Sequence, residues 1–291
     1  MALDLVVRGG TVVDGSGLGA YRADVGVEGN RIVAIGRLRE RGRQEIDADG
    51  LVVSPGFIDG HTHLDAQVFW DPLGVNSCWQ GVTSVVMGNC GFTIAPVRPA
   101  ERALVVRNLE RAEDIDPAAL AEGIDWSWET FPEYLEALDR LPKAIHYAAN
   151  VGHSALRTWA MGERAFEQTA SEDDLRRMEG QLRQALQAGA IGFTTSRSEH
   201  HETSDDRPVA SRLADWEEVH RLADVMGDLG VGILEGGTEG MLSPDPEVRE
   251  EVWSHVRRIA TRQGVPMTAG LIATAQGGRA MLDRIDALAA E

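Results

Sequence analysis

Pro55-Gly-Phe-Ile-Asp-Gly-His-Thr-His-Leu-Asp65 follows the β-rich run Leu51-Val-Val and contains two histidines two residues apart. The short apolar run before the histidines predicts a buried strand. Alternate residues of a strand point the same way, so His61 and His63 would project two imidazoles from one face. Such a pair at a strand end suits a divalent metal, usually zinc. The alternative is a pair of polar turn residues.

A second motif, Val85-Val-Met-Gly-Asn-Cys90-Gly-Phe, ends the next predicted strand, Thr83–Met87. Gly88 and Gly91 permit tight backbone conformations that would present Cys90 at the carboxyl end of this strand. A thiolate there would face the two histidines. Cys90 is therefore a candidate metal ligand, and the alternative is a buried apolar thiol.

The rest of the chain alternates strand-like runs with helical patterns, which predicts a parallel α/β sheet, open or closed. The six strand-like runs are Gly56–Asp59, Thr83–Met87, Ala144–Val151, Ala190–Thr194, Gly230–Leu234 and Val265–Leu271. The clearest helical patterns are Glu172–Ala188, Ala214–Leu229, Pro246–Gln263 and, near the end, Gly278–Ala290.

Two regions stand outside this alternation. Residues 1–54 predict a small β-sandwich-like domain with a hairpin at Glu28-Gly-Asn30. Residues 55–291 form the alternating domain, with an excursion at about 96–141 that holds charged helices near 101–113 and 128–138. Trp126 and Trp128 in this excursion would line a substrate mouth or simply pack.

The composition restricts the class of partner. Asp and Glu number 46 against 28 Lys and Arg, a net charge of −18, which opposes binding to nucleic acid or to an anionic membrane surface. The sequence contains no apolar run long enough for a membrane span, no signal-peptide pattern, and two cysteines, too few for a disulfide scaffold. We therefore expect a cytoplasmic protein with a small-molecule substrate. The oligomeric state is left open.

The motifs at 55–65, 81–92 and 150–157 (Asn-Val-Gly-His-Ser-Ala-Leu-Arg) together resemble the N-acyl-D-amino-acid deacylase, or D-aminoacylase, group of amidohydrolases. The resemblance implies a β-sandwich joined to a closed (β/α)8 barrel, whose chemistry lies at the carboxyl ends of the strands. It also implies a centre of one or two zinc ions, with the cysteine after strand two as a ligand. Many relatives instead use a carboxylated lysine after strand four. The fourth strand here, Ile191–Arg197, has no lysine, and Lys143 is the single lysine of the chain.

The sequence also departs from this family. The resemblance implies a histidine ligand on strand five and another on strand six, but Gly232-Ile-Leu-Glu235 and Met267-Thr-Ala-Gly contain none. Glu235 would replace one imidazole with a carboxylate, since zinc accepts oxygen. The family's catalytic aspartate belongs to strand eight, and only six strands are recognisable. The catalytic residue is therefore unknown, and we expect the chain to be the front portion of a longer protein.

Other polar residues follow strands three and four. His153 would contact substrate or support the site from behind, and Arg197 would clamp a substrate carboxylate or form a surface ion pair. His200 and His201 lie in a polar loop and are ligands from strand four or solvated loop residues.

The leading expectation is a zinc-dependent enzyme that hydrolyses the amide bond of N-acyl-D-amino acids or similar N-acyl compounds. In this reading the metal polarises the carbonyl and activates water, with His61, His63, Cys90 and Glu235 as its ligands. A second reading is hydrolysis of another linear or cyclic amide. A third is a truncated or degenerate, catalytically impaired barrel.

Overall fold

The computed structural model of the chain describes residues 3–111, 116–236, 240–241, 243–270 and 277–290. Two compact units follow each other, residues 1–57 and 58–291. The strands of the first unit are β1 (Leu3–Val12), β2 (Tyr21–Glu28), β3 (Arg31–Gly36), β4 (Gly42–Asp47) and β5 (Val52–Val53). The strands of the second sheet are β6 (Phe57–Asp59), β7 (Val82–Met87), β8 (His146–Gly152), β9 (Gly192–Thr195), β10 (Ile233–Gly236) and β11 (Met267–Ala269).

The helices belong to the second unit. They are α1 (Val75–Trp79), α2 (Arg102–Glu110), α3 (Pro117–Gly123), α4 (Phe131–Asp139), α5 (His153–Met161), α6 (Glu172–Ala188), α7 (Trp216–Leu229), α8 (Pro246–Arg262) and α9 (Gly277–Ala289). No helix in the described ranges combines the length and the apolar character that a membrane crossing needs.

The first unit is one mixed sheet in the order β3-β2-β1-β4, with β5 also paired to β1. β1 runs antiparallel to β2 and parallel to β4 and β5. The predicted hairpin joins β2 to β3 through Gly29, whose φ of 59° suits a tight turn. The prediction of a small N-terminal β-domain is confirmed.

The second unit holds a parallel sheet in the order β6-β7-β8-β9-β10-β11. Neighbours in the sheet are also consecutive in the chain, so the order never reverses as it does in an open doubly wound sheet. With helices in the connections, this is the progression of a (β/α) barrel. The predicted barrel-type α/β fold, with six strands in this chain, is confirmed.

The best predicted helices carry their own end signals. Ser171 and Asp174 form a capping box at the start of α6, and Gly189 (φ 116°) ends the helix. Asp215 accepts from the Glu218 N–H at the start of α7, which ends at Gly230 (φ 64°). Because these signals are local, the predicted bounds agree with the structure to within two residues.

Helix α5 was not predicted, for two physical reasons. Its N-cap is Gly152, which has no side chain to announce a helix start. It also buries polar residues (His153, Ser154, Arg157 and Thr158) together with its apolar ones, so residue polarity does not indicate which face packs inward. The sequence around His153 therefore looked like the end of a strand. The last residue of the predicted run Val265–Leu271, Leu271, lies outside the described residues, as do 112 and 113 of the predicted helix 101–113.

A large apolar core packs the helices of the second unit against the sheet. Trp128 belongs to this core, 3% exposed, with its Nε1 donating to Ile94 O and its ring stacked on Phe69 at 4.8 Å. This geometry favours packing over a substrate mouth for Trp128. Trp126 lies against it, with ring centroids 5.8 Å apart.

Candidate metal centre

His61 and His63 lie just beyond the end of β6 rather than within a strand. Thr62, between them, still runs beside β7: its N–H and its Oγ1 donate to Val86 O at 2.9 and 2.7 Å. This anchor holds both imidazoles close together, with ring centroids 5.3 Å apart and planes at 74°. The predicted pairing of the two rings is present, although a loop and not a strand produces it.

Cys90 brings a thiol to the same place. One ligand atom each from His61, His63 and Cys90 lie within 4.8 Å of one another. The Cys90 Sγ is 3.3 Å from His61 Nε2. Glu235 approaches from β10, its Oε1 3.7 Å from His61 Nδ1 and 4.0 Å from the Cys90 Sγ. The four residues that the sequence singled out as ligands therefore lie together at the carboxyl ends of three strands.

The loop that carries Cys90 has an unusual backbone. Cys90 itself is left-handed (φ 55°), between Gly88 (φ 80°) and Gly91 (φ 82°). This conformation costs about 1–2 kcal/mol for a residue with a side chain. β8 presses against the loop, because a Cβ on Gly88 would lie 2.5 Å from Asn150 O and one on Gly152 would lie 2.6 Å from Gly91 O. The prediction that glycines permit a tight turn here is confirmed.

Hydrogen bonds from neighbouring strands hold this loop. Three side chains accept backbone N–H groups: Asp65 Oδ2 from Gly88 (2.9 Å), Glu235 Oε2 from Cys90 (2.8 Å) and Thr194 Oγ1 from Gly91 (3.0 Å). In addition, Asn89 Nδ2 donates to Thr62 O and to Val86 O, both at 3.0 Å. These bonds provide the partners that offset the strained backbone.

Electrostatics favour neutral imidazoles in the cluster. Burial lowers the pKa of His61, against a small opposing effect of Asp59. Burial, followed by the charges of His61 and His201, lowers the pKa of His63 to about 4. Both rings are therefore uncharged at neutral pH, which is the form that binds metals. Asp65, behind the loop, has its pKa raised to about 7 by burial, despite the Gly88 N–H that it accepts.

The loop after β9 contains His200 and His201, which the sequence predicts to be either metal ligands or solvated loop residues. His201 Nδ1 lies 2.7 Å from Ser196 Oγ, and its ring centroid is 5.1 Å from that of Phe92, whose ring centroid is 6.2 Å from that of His63. His200 is exposed, and its N–H donates to Ser198 Oγ at 3.3 Å. The geometry brings His201 but not His200 close to the candidate ligands.

His153, predicted as a substrate contact or a supporting residue, is completely buried. Its Nδ1 is 2.8 Å from Thr195 Oγ1, and its Nε2 is 2.8 Å from Glu218 Oε1. Burial lowers its pKa. With both ring nitrogens bonded and no exposed surface, His153 has the environment of a supporting residue rather than of a substrate contact.

Glu218 also pairs with Arg157, whose guanidinium is fully buried and donates a further bond to Gln168 O at 2.6 Å. Burial would raise the pKa of Glu218, but its hydrogen bond to His153 and its pairing with the Arg157 guanidinium outweigh this and lower it. We call His153, Arg157, Glu218 and Thr195 the buried network.

Arg197, the other predicted substrate-binding residue, follows β9. Its Nη1 donates to Ala214 O at 2.6 Å, and its guanidinium lies 5.0 Å from the Trp216 ring centre. Trp216 in turn stacks on His255, with centroids 4.2 Å apart. These contacts hold the guanidinium against the start of α7.

Sequence reasoning missed three residues that build the loop. Asp65 and Asn89 lie inside the quoted motifs, so their proximity to candidate ligands was the available signal. Thr194 offered none, because threonine is an ordinary strand residue.

Fold and site together define a barrel of the metal-hydrolase type, with its donor cluster at the carboxyl ends of the strands. The amidohydrolase family's sequence profile matches residues 44–287, and the chain belongs to that family.

The comparisons also identify individual relatives. D-aminoacylase of Alcaligenes xylosoxydans xylosoxydans is 38% identical over 193 residues, 66% of this chain and 37% of that protein. A crystal structure of a D-aminoacylase superposes with a TM-score of 0.78 and 31% identity, covering 99% of this chain and 56% of that one. The N-acyl-D-glutamate deacylase from Bordetella bronchiseptica, solved with zinc and a phosphonate inhibitor, gives 0.74 and 28%, covering 100% and 56%. The chain thus spans little more than half the length of these solved relatives.

Proposed function

We propose that the chain carries the metal-binding part of an enzyme that hydrolyses the amide bond of N-acyl-D-amino acids or similar N-acyl compounds. The observation that carries the proposal is the convergence of His61, His63 and Cys90, with Glu235 beside them. The similarity to D-aminoacylase and to N-acyl-D-glutamate deacylase supports the substrate class. A small-molecule substrate and a cytoplasmic location belong to the same proposal.

The donor set fits zinc. Nitrogen, sulfur and carboxylate oxygen are the ligands that zinc takes in proteins, about 2.0–2.3 Å from the ion, so two ligands of one ion lie about 3–4 Å apart. The 3.3 Å between the Cys90 Sγ and His61 Nε2 and the 4.0 Å between the Cys90 Sγ and Glu235 Oε1 fall in this range. Whether one or two ions bind is a question for metal analysis.

Each residue of the cluster has a definable task. His61 and His63 present neutral rings, because burial opposes their protonation. Glu235 uses Oε2 to hold the Cys90 N–H, which leaves Oε1 directed at the cluster. A divalent ion held there would polarise an amide carbonyl and activate water. Arg197, near the same end of the sheet, remains our candidate for the substrate carboxylate, and its bond to Ala214 would have to yield.

Glu235 supports a second candidate function within the same class. A carboxylate, where the resemblance implies an imidazole, changes the charge of the centre by one unit, which alters the leaving groups and carbonyls that it activates best. Hydrolysis of another linear or cyclic amide is therefore the alternative substrate class.

The test uses the purified full-length protein that contains this chain, loaded with zinc and assayed on paired N-acyl-D- and N-acyl-L-amino acids, hydantoins and lactams. We expect about one equivalent or more of bound zinc and release of free amino acid from the D-substrates, abolished by a chelator and restored by zinc. A chain that binds no metal under any loading condition would contradict the proposal. Turnover of cyclic amides without D-preference would favour the alternative.

A further inference from the structure

The hydroxyl of Thr194 connects the two sides of Cys90. Its Oγ1 accepts the Gly91 N–H at 3.0 Å and donates to Gly88 O. Asp65 and Glu235 each hold a single amide of the loop, at Gly88 and at Cys90. Thr194 thus bridges the residue two positions before Cys90 and the residue immediately after it.

Thr194 is a rigid support. It is completely buried, and β9 is buried over its whole length. Its neighbours in the sheet are Gly152 of β8 on one side and Glu235 of β10 on the other. A threonine in the interior of a sheet has a restricted χ1 angle, so its hydroxyl has little freedom to move away.

The conformation that this hydroxyl holds is one that the loop would not choose by itself. Cys90 is left-handed, which is unfavourable for a residue with a Cβ, and the glycines on either side are left-handed too. Without a partner for the Gly91 N–H and Gly88 O, this segment would relax. The Cys90 Sγ would then leave its position 3.3 Å from His61 Nε2.

We propose that Thr194 is a positioning residue, whose hydroxyl fixes residues 88–91 in the conformation that directs the Cys90 thiol at the histidine pair and so sets the affinity for zinc. This inference rests on the proposed metal site. It gives β9, the fourth strand of the parallel sheet, a role at the metal centre although β9 supplies no metal ligand.

Three variants of the whole chain test it, with zinc affinity measured by competition against a chromophoric chelator. Thr194→Val removes the hydroxyl at nearly constant shape, and Thr194→Ser keeps it. Thr195→Val is the matched control: it removes a hydroxyl one residue further along β9, where Oγ1 bonds to His153 instead. We expect Thr194→Val to weaken zinc binding by about 10- to 100-fold, as loss of an outer partner of a metal ligand does. Thr194→Ser and Thr195→Val should stay within about threefold of wild type.

A second measurement does not depend on metal. In the chelator-treated chain, exchange of the Gly91 amide hydrogen should be about tenfold faster in Thr194→Val than in wild type, and unchanged in Thr195→Val. If Thr194→Val does not fold, as judged by circular dichroism, Thr194→Ala is the second hydroxyl-free variant. Both measurements apply to it in the same way.

The outcomes separate the two proposals. Equal zinc affinity in wild type and the hydroxyl-free variants overturns the role of Thr194 and leaves the proposed function intact. Failure of Thr194→Ser to restore affinity also overturns it. A wild-type chain that binds no zinc overturns the proposed function and the zinc part of this inference. The exchange rates then decide whether Thr194 holds the loop: an unchanged Gly91 rate overturns that as well.

Discussion

The Cys90 cluster and the buried network use similar residues in opposite ways. Each contains histidine beside a glutamate, but His61 is 47% exposed in its side chain, whereas His153 and Arg157 are 0% exposed. In the buried network, donors and acceptors alternate, and the charge of Glu218 faces that of Arg157. In the Cys90 cluster, three lone-pair donors converge on one small volume. The difference teaches that the direction in which the lone pairs point, more than residue type, separates a candidate ligand set from a structural network.

The largest expected effect tests the buried network. Glu218→Gln should lower the free energy of unfolding by about 3–5 kcal/mol, because it leaves the buried charge of Arg157 without its partner. The adjacent, exposed Glu217 provides the control: Glu217→Gln should cost about 0.5 kcal/mol or less. Urea unfolding at neutral pH measures both. A cost for Glu218→Gln no larger than the control would mean that the network contributes little to stability.

The next effect tests the Cys90 cluster. Cys90→Ala should lower zinc affinity by about 100-fold or more, since loss of a ligand exceeds loss of an outer partner. Cys78→Ala should leave zinc affinity unchanged, because its thiol lies 3.5 Å from Val75 O, in α1. Metal analysis and competition titration compare the two variants. If Cys90 only packs, the substitution costs about 1–2 kcal/mol of stability, and both variants bind equal zinc.

A smaller expected effect is the pH dependence of stability that His153 gives to the buried network. Burial lowers the pKa of His153, so the folded chain resists a proton that the unfolded chain accepts below pH 6.5. The contribution of His153 is fully present above that pH and is lost on acidification. The stability difference between wild type and His153→Gln should therefore shrink from pH 7 to 5.5.

This measurement uses urea unfolding of chelator-treated protein at several pH values. His220 and His255, whose pKa values are also lowered mainly by burial, titrate in both proteins and cancel. A difference that stays constant with pH would show that His153 is not protected from protonation by folding.

The smallest expected effect on the free energy of unfolding concerns an exposed ion pair. Arg279 and Asp283 form an ion pair on α9 at 3.1 Å, but their side chains are 81% and 61% exposed. Asp283→Asn should change the free energy of unfolding by about 0.5 kcal/mol or less, since water screens such pairs. Thermal melting with and without added salt checks this. A cost approaching that of Glu218→Gln would remove burial as the explanation of the difference between networks.

The sequence predicts the fold well where the signals are local. The N-cap side chains and terminal glycines of α6 and α7 mark the two ends of each helix through contacts between residues a few positions apart in the chain. Helix α5 is not predicted, because its start lacks a capping side chain and its polar residues are buried together with its apolar ones. Its position depends on contacts with distant segments, which a single sequence does not display.

The candidate site likewise contains residues that the sequence identifies and residues that it does not. The sequence identifies His61, His63 and Cys90 as candidate ligands because imidazole and thiolate groups are common metal ligands. All three also lie near glycines at the ends of predicted strands. Thr194 is not recognisable, since its importance depends on a contact with Gly91, 103 positions away in the chain. Arg197 and His153 were placed at the correct end of the sheet, but their partners, Ala214 and Glu218, come from later segments.

The close approach of β8 to the Cys90 loop has a consequence for how such a centre can change over time. A Cβ on Gly88 or Gly152 would meet backbone oxygen atoms, which no change of rotamer can move aside. A side chain at either of these positions would therefore collide with the main chain, whereas the Cys90 side chain can be replaced without such a collision. A change of donor at position 90 thus leaves room for the surrounding backbone, whereas a side chain at Gly88 or Gly152 would force two main-chain segments apart.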